Sequence, residues 1–195
     1  MAKWSMVIDL DKCVACQGCS IACRFENNTP VVAPDEARLG RAMRWNDVFP
    51  MPVNPTEDTG EYPNVKSEYV PRPCMHCENP PCLRVCPTGA TYQRDDGLVL
   101  IDYDKCIGCR YCMEACPYDA RYLDPERGVA DKCTFCVHRL DAGQPPACVE
   151  TCVGGSRHYG DLNDPSSDVA KLLATRDHVV IYEEAGTGPA FYYIP

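Results

Sequence analysis

The chain has 195 residues and 16 cysteines, one at about every twelfth position, which ordinary composition does not produce. Its 18 prolines and 13 glycines disfavour helix and strand interiors, excluding long bundles, wide sheets and a large substrate-binding body beside the cysteine scaffold. A formal charge of −9 disfavours binding to nucleic-acid phosphates, and no run approaches the roughly eighteen apolar residues that would span a bilayer.

In chain order, Met1–Ile8 reaches Asp9 and Cys13 before an apolar h-region develops, and no Arg-Arg pair follows, so no export signal is expected. Ser5–Ile8 reads as a strand leading through an Asp-rich turn into the first cysteines. Residues 24–73 are Pro-punctuated (Pro30, Pro34, Pro50, Pro52, Pro55, Gly60, Pro63) around an apolar-aromatic stretch, Met43 to Phe49. This segment fits a docking insertion and a covering loop equally well, with Tyr62–Val70 as a candidate edge strand. Between Cys86 and Cys106, two short strands flank Asp96-Gly97, a hairpin turn signal. Beyond Cys152, Asn163-Asp164-Pro165 predicts an N-cap and first-turn proline for a helix over 165–175, with Val169, Leu172 and Leu173 on one face. His178–Tyr182 and Ala190–Ile194 then predict a hairpin or partner-facing strands, and no anchor helix follows.

The cysteines form four quartets with none left over: Cys13, Cys16, Cys19, Cys23; Cys74, Cys77, Cys82, Cys86; Cys106, Cys109, Cys112, Cys116; and Cys133, Cys136, Cys148, Cys152. The first and third are C-x2-C-x2-C-x3-C, the bacterial ferredoxin run for cubane clusters; the others are variants with a widened middle gap. Three closely spaced cysteines let one tight loop wrap three corners of a cluster, while the run's last cysteine ligates the other cluster of a pair. Clusters and fold therefore form together. Zinc prefers separated C-x2-C pairs, and a disulfide framework expects a signal peptide and irregular spacing. Four [4Fe–4S] clusters are the reading, and at about −2 each they bring the oxidised protein to roughly −17, a surface for basic partner side chains.

Residues 9–23 and 102–116 align without a gap, with eight of fifteen positions identical. Cys74–Cys86 and Cys133–Cys152 both open C-x2-C and place Pro-Pro just before the third cysteine. The chain is thus a doubled two-cluster ferredoxin in the order A, B, A, B. The hairpin favours pairing quartets two and three, but distance allows three with four equally, and spacing leaves this open. Asp-Lys precedes three quartets (Asp11-Lys12, Asp104-Lys105, Asp131-Lys132), either as cluster-side cations or as solvated turns. His76 and His138 are expected as hydrogen-bonding or surface groups, since each quartet is complete without them.

With HCENPPC (76–82), CPTGA (86–90), CPYDAR (116–121) and DKCTFCVHRL (131–140), the chain resembles the iron–sulfur subunits of the DMSO reductase superfamily over nearly its whole length. Its short length and GDLNDP (160–165) look most like the polysulfide, thiosulfate and tetrathionate reductase type, with respiratory arsenate reductases close by. The resemblance implies a non-catalytic electron wire between a molybdenum or tungsten bis-pterin (molybdopterin) catalytic subunit and an integral membrane quinone-binding subunit. Carried over by residue, it implies cluster ligands Cys13, Cys16, Cys19 and Cys152 nearest the catalytic subunit, then Cys23, Cys133, Cys136 and Cys148. Cys86, Cys106, Cys109 and Cys112 would hold the third cluster, and Cys74, Cys77, Cys82 and Cys116 the last, toward the membrane. Some relatives lose the second cysteine of the third quartet and hold three irons there; Cys109 implies four cubanes here.

The expected fold is therefore α+β, a loop-rich doubled ferredoxin with a partner-facing insertion. Residues 1–28 plus 121–160 would form one module, 74–120 the other, 29–73 the insertion and 161–195 a tail with one helix and short strands. The expected location is the periplasmic face by co-export with the catalytic subunit, with the cytoplasmic face as the alternative. A free polyferredoxin is the rival function; an enzyme with its own site lacks any nucleophile, phosphate loop or open-site metal motif.

Overall fold

The computed structural model describes residues 2–30, 35, 44–50, 61–63 and 69–195. Most of the expected insertion, including Pro34, Met43, Pro52, Pro55 and Gly60, lies outside the described residues, as do residues 64–68 of the expected edge strand.

Strand β1 (Trp4–Asp9) is the centre of a three-stranded sheet, and its apolar run Met6-Val7-Ile8 is almost wholly buried. Alternation along the strand sends Val7 to one face and Met6 and Ile8 to the other. Residues Arg157–Asp161 pair with β1 antiparallel, and Phe191–Ile194 pair with it in parallel on the other side. Helix Asp168–Thr175 covers the Val7 face, seating Val169 beside Ile194 with Leu172 and Leu173 at the rim. Met6 and Ile8 face Phe191, Tyr193, Phe135, Met75 and Leu98, the core shared with the cysteine loops.

That helix begins three residues later than the sequence predicts. Asp164 turns its carboxylate onto the Ser166 N–H and hydroxyl, and Ser167 becomes the N-cap by accepting from the Ala170 N–H at 3.2 Å. The end of the chain departs from partner-facing strands, because Phe191, Tyr193 and Ile194 are buried in the sheet. Only Val179 from the preceding β-prone run joins them, as one antiparallel bridge to Tyr193.

Three small hairpins or strand pairs surround the cysteine loops. Thr91–Gln93 pairs with Val99–Ile101 around the expected turn, where Gly97 takes the left-handed conformation (φ 88°) that closes the loop. Tyr122–Leu123 pairs with Ala130–Asp131, and Val48–Pro50 with Tyr69–Pro71, the described part of the expected edge strand. The helices are short. Gly18–Glu26, after the first cysteines, packs on Ala147–Glu150, before the last; Pro81–Arg84 packs on Tyr111–Glu114. Quartet one thus lies against quartet four, and quartet two against quartet three. Among the described residues no helix is long and apolar enough to cross a membrane.

Candidate iron–sulfur cluster sites

Each cysteine loop is bent by left-handed residues that point successive backbone groups inward. In the first loop Ala15 (φ 53°) and Gln17 (φ 60°) do this; in the third, 93 positions on, Gly108 (φ 67°) and Arg110 (φ 67°) repeat it. In the fourth the bend is made by Phe135 and Cys136. The repeat seen in the letters is therefore also a repeat of backbone conformation.

These loops bring the thiols together in sets. Cys13, Cys16, Cys19 and Cys152 line one small cavity, with Gly154, Ser156 and Arg157 in its wall. A second small cavity is lined by Cys74, Cys77, Cys82 and Cys116, with Pro80, Pro81, Pro117 and Arg121 in its wall. Cys23, Cys133, Cys136 and Cys148 lie within one another's electrostatic field. Cys106 and Cys112 pack with Val99 and Ala130; Cys109 between them in the chain is exposed, and Cys86 is held at the neighbouring turn. All sixteen cysteines carry free thiols. The thiols of these two sets stand around cavities.

The donor chemistry fits iron–sulfur clusters. Backbone N–H groups reach sulfur in quartets two, three and four: Thr91 to Cys86 at 3.4 Å, Ala130 to Cys106 at 3.4 Å, Phe135 to Cys133 at 3.4 Å and Ser156 to Cys152 at 3.3 Å. Side chains extend the pattern to quartet one. Asn27 Nδ2 lies 3.7 Å from Cys23 Sγ and 3.8 Å from Cys136 Sγ, and Asn46 Nδ2 lies 3.4 Å from Cys19 Sγ. Two buried arginines complete it, Arg121 donating to Cys82 Sγ at 3.0 Å and Arg157 to Cys19 Sγ at 3.5 Å. Burial and neighbouring thiols raise the Cys23 and Cys133 thiols, and burial with Cys74 pushes Cys77 up to about 12. Such thiols ionise when a cationic metal core replaces their protons. Cys86 is the contrast: burial works to raise it, but the Thr91 N–H, the Thr88 hydroxyl and the N–H groups of Thr88 and Ala90 bring it down to about 7.

The three Asp-Lys pairs divide. Lys12 and Lys105 are exposed and ion-paired to Asp9 (3.0 Å) and Asp102 (2.7 Å), as solvated turns. Lys132 is 1% exposed, its ammonium donating to the carbonyls of Val99 and Cys133. His76 is also buried and bridges loops: its Nδ1 accepts from the Val99 N–H at 3.1 Å, leaving Nε2–H to donate to the Cys133 carbonyl at 3.1 Å. Burial foremost, and then Lys132, hold its pKa well below the ordinary histidine value. His138 is half-exposed and pairs with Glu26. Both histidines are hydrogen-bonding groups, as expected. Sequence reasoning missed Arg121, Arg157, Asn27 and Asn46 as sulfur donors. Arg121 lay inside the quoted CPYDAR, and Arg157 follows Cys152 at the same five-residue offset as Arg121 follows Cys116, a signal that could have found it; Asn27 stands one helical turn after Cys23, and only Asn46 lies far from any cysteine run.

The family model for a 4Fe-4S dicluster domain matches residues 65–162. A tetrathionate reductase subunit from Salmonella typhimurium is 46% identical, covering 98% of this chain and 72% of its own length. A putative dimethyl sulfoxide reductase iron–sulfur subunit from Halobacterium salinarum is 42% identical (100% and 79%), and a selenate reductase subunit from Mesobacillus selenatarsenatis 43% (98% and 72%). With cysteine loops of ferredoxin type and these relatives, the chain belongs to the 4Fe-4S dicluster family as an iron–sulfur electron-transfer subunit of the DMSO reductase type.

Proposed function

We propose that the chain holds four [4Fe–4S] clusters in a row and connects a molybdenum or tungsten bis-pterin catalytic subunit to an integral membrane quinone-binding subunit. The observation carrying this is the sorting of thiols from paired quartets onto common cavities, three from one loop and one from its partner loop. Bound clusters supply one-electron carriers whose charge is spread over iron and sulfide. The protein's part is to space them, exclude water and offset their negative charge, with Arg157 reaching a sulfur of the first module and Arg121, at that module's edge, reaching across to Cys82 of the second.

The ligand sets are Cys13, Cys16, Cys19, Cys152; Cys23, Cys133, Cys136, Cys148; Cys74, Cys77, Cys82, Cys116; and Cys86, Cys106, Cys109, Cys112, in that spatial order. The last two are reversed from the order the resemblance implies. The reversal is supported by Cys133 lying in the field of Cys74, by Lys132 acting on Cys82, and by Cys74, Cys77 and Cys116 sharing one core with Cys133 and Cys148. It leaves the two exposed cysteines, Cys16 and Cys109, at opposite ends of the row.

The modules are 1–28 plus 121–160 and 74–120, with 29–73 as a partner-facing insertion and 161–195 as a tail; the helix pairs described above support this doubled fold. The substrate class of the complex is a sulfur oxyanion or polysulfide, supported by the tetrathionate reductase relative, and its place is the periplasmic face of the membrane by co-export with the catalytic subunit.

Anoxic purification on a tag attached to this chain, from native membranes, tests the proposal by metal analysis. About sixteen irons per chain with co-purifying molybdenum or tungsten is expected. The same iron with neither metal favours the free polyferredoxin, and zinc in place of iron overturns the site. Within the complex, Cys109→Ser is expected to alter one cluster's EPR signal and slow quinol-linked turnover while sparing dye-linked turnover at the catalytic subunit; equal loss of both overturns the row.

A further inference from the structure

Trp45 comes from the proline-punctuated segment between the first and second quartets, and it is 7% exposed. It forms one buried cluster with Cys23, against which Tyr122 and Cys133 pack, so the indole lies beside one proposed ligand set. Its Nε1–H is buried and has no hydrogen-bond partner among the described residues. A buried indole N–H without an acceptor is unusual, because the ring normally turns its one polar atom toward a partner.

The residues around it are already directed at sulfur. The next residue, Asn46, donates to Cys19 Sγ and accepts from Arg157 at 2.7 Å, and Asn27 reaches Cys23 and Cys136 from the end of helix Gly18–Glu26. What a filled site adds beside Cys23 and Cys133 is sulfur: thiolate and sulfide acceptors carrying negative charge. We propose that the Trp45 indole N–H donates to a sulfur of the cluster held by Cys23, Cys133, Cys136 and Cys148, and thereby raises that cluster's reduction potential. A donor to sulfur favours the reduced state because that state carries one more negative charge. In this role Trp45 is a positioning residue, and the insertion that supplies it tunes the wire internally as well as covering it.

The inference rests on the proposed ligand set, so that set is checked separately. In redox-poised EPR on the intact complex, Cys23→Ser and Cys136→Ser should alter the same cluster signal; changes in two different signals overturn the ligand set and leave Trp45 without its cluster. With the set intact, Trp45→Phe keeps an aromatic ring and removes the N–H. The expected result is a shift of about tenfold in the reduction equilibrium of that one cluster toward the oxidised state, about 59 mV for a one-electron couple, with the other three unmoved. An unshifted potential at full iron content overturns the inference. Should Trp45→Phe lose iron, tryptophan labelled with 15N in the indole ring, in a Trp4→Phe background, decides by pulsed EPR. A 15N coupling at the reduced cluster supports the bond, and its absence overturns it.

Discussion

The loops 9–23 and 102–116 share eight of fifteen letters and the same two left-handed turns, yet they end differently, and the difference lies in one residue. After Cys116 comes Pro117, which disfavours helical backbone at the residue before it, and the helix there is the four residues Tyr111–Glu114. After Cys23 comes Arg24, and the helix runs for nine residues, Gly18–Glu26. The longer helix carries Asn27 to the sulfurs of Cys23 and Cys136 and Glu26 to His138 and Arg139 on the fourth-quartet loop. One half thus fastens its two loops through a helix end. The other is fastened by a proline wall, a short hairpin and Arg121.

Moving the proline should break this contrast most severely. Arg24→Pro places a ring inside the nine-residue helix, removing an interior hydrogen bond and clashing with the preceding turn, at a cost of about 3 kcal/mol or more. The expected outcome is a lowered melting temperature and iron lost from the Cys23 set first, read by anoxic thermal scans and iron content. Pro117→Ala frees the unfolded chain and trims one residue of the cavity wall; the first effect alone should cost about 0.4–1 kcal/mol.

A second exchange exploits the left-handed positions. The first loop takes its left-handed turn with Ala15, whereas a Cβ at the matching Gly108 would lie 2.2 Å from the Gly128 carbonyl oxygen, on backbone that cannot rotate aside. Gly108→Ala should therefore cost roughly 2–3 kcal/mol, from the strained φ together with the forced shift of the Gly128 turn. Ala15→Gly should be nearly neutral, since relief of the left-handed strain offsets the added freedom of the unfolded chain. Equal melting shifts for the two would show that the loops are more alike than their surroundings.

The cysteine loops, the hairpin at Gly97, the C-terminal helix and the roles of both histidines were legible because each has a local cause: ligand spacing, a turn residue, a 3.6-residue apolar stripe, a quartet already complete. The parallel pairing of Phe191–Ile194 with Trp4–Asp9 was not, since strands so far apart in the chain leave no local signal of their register. The division of the Asp-Lys pairs was hidden for the same reason. Lys132 is buried because Val99, from another hairpin, offers its carbonyl, whereas Lys12 and Lys105 meet only their own turns. Arg157 went unmarked in the sequence, and its role depends on Cys19 and Asn46, both more than a hundred residues earlier.

The buried arginines offer a symmetric test of the halves. Arg157→Met and Arg121→Met each remove a charge-assisted hydrogen bond to one thiolate, worth about 2 kcal/mol. Each should lower the potential of clusters in the half whose thiolate it reaches by about tenfold in the one-electron equilibrium and leave the other half unmoved. Redox-poised EPR reads both, and a shift that crosses between halves would mean that the field is shared along the row.

The smallest effect is expected at the ion pairs unique to the first half. Glu26 accepts from His138 at 2.7 Å and from Arg139 at 2.9 Å, while Arg139 also donates to the Pro145 carbonyl and reaches Glu150. Because Glu26 and His138 stand partly in water, solvent and salt screen the pairing, and Glu26→Gln should cost less than about 1 kcal/mol. The cost should shrink further in high salt, whereas that of Arg24→Pro should not, since the backbone break is indifferent to screening. A Glu26→Gln penalty that survives high salt would mean that helix Gly18–Glu26 is held to the fourth-quartet loop by hydrogen-bond geometry rather than charge. The first half would then depend on the end of that helix as strongly as the second depends on its buried Arg121.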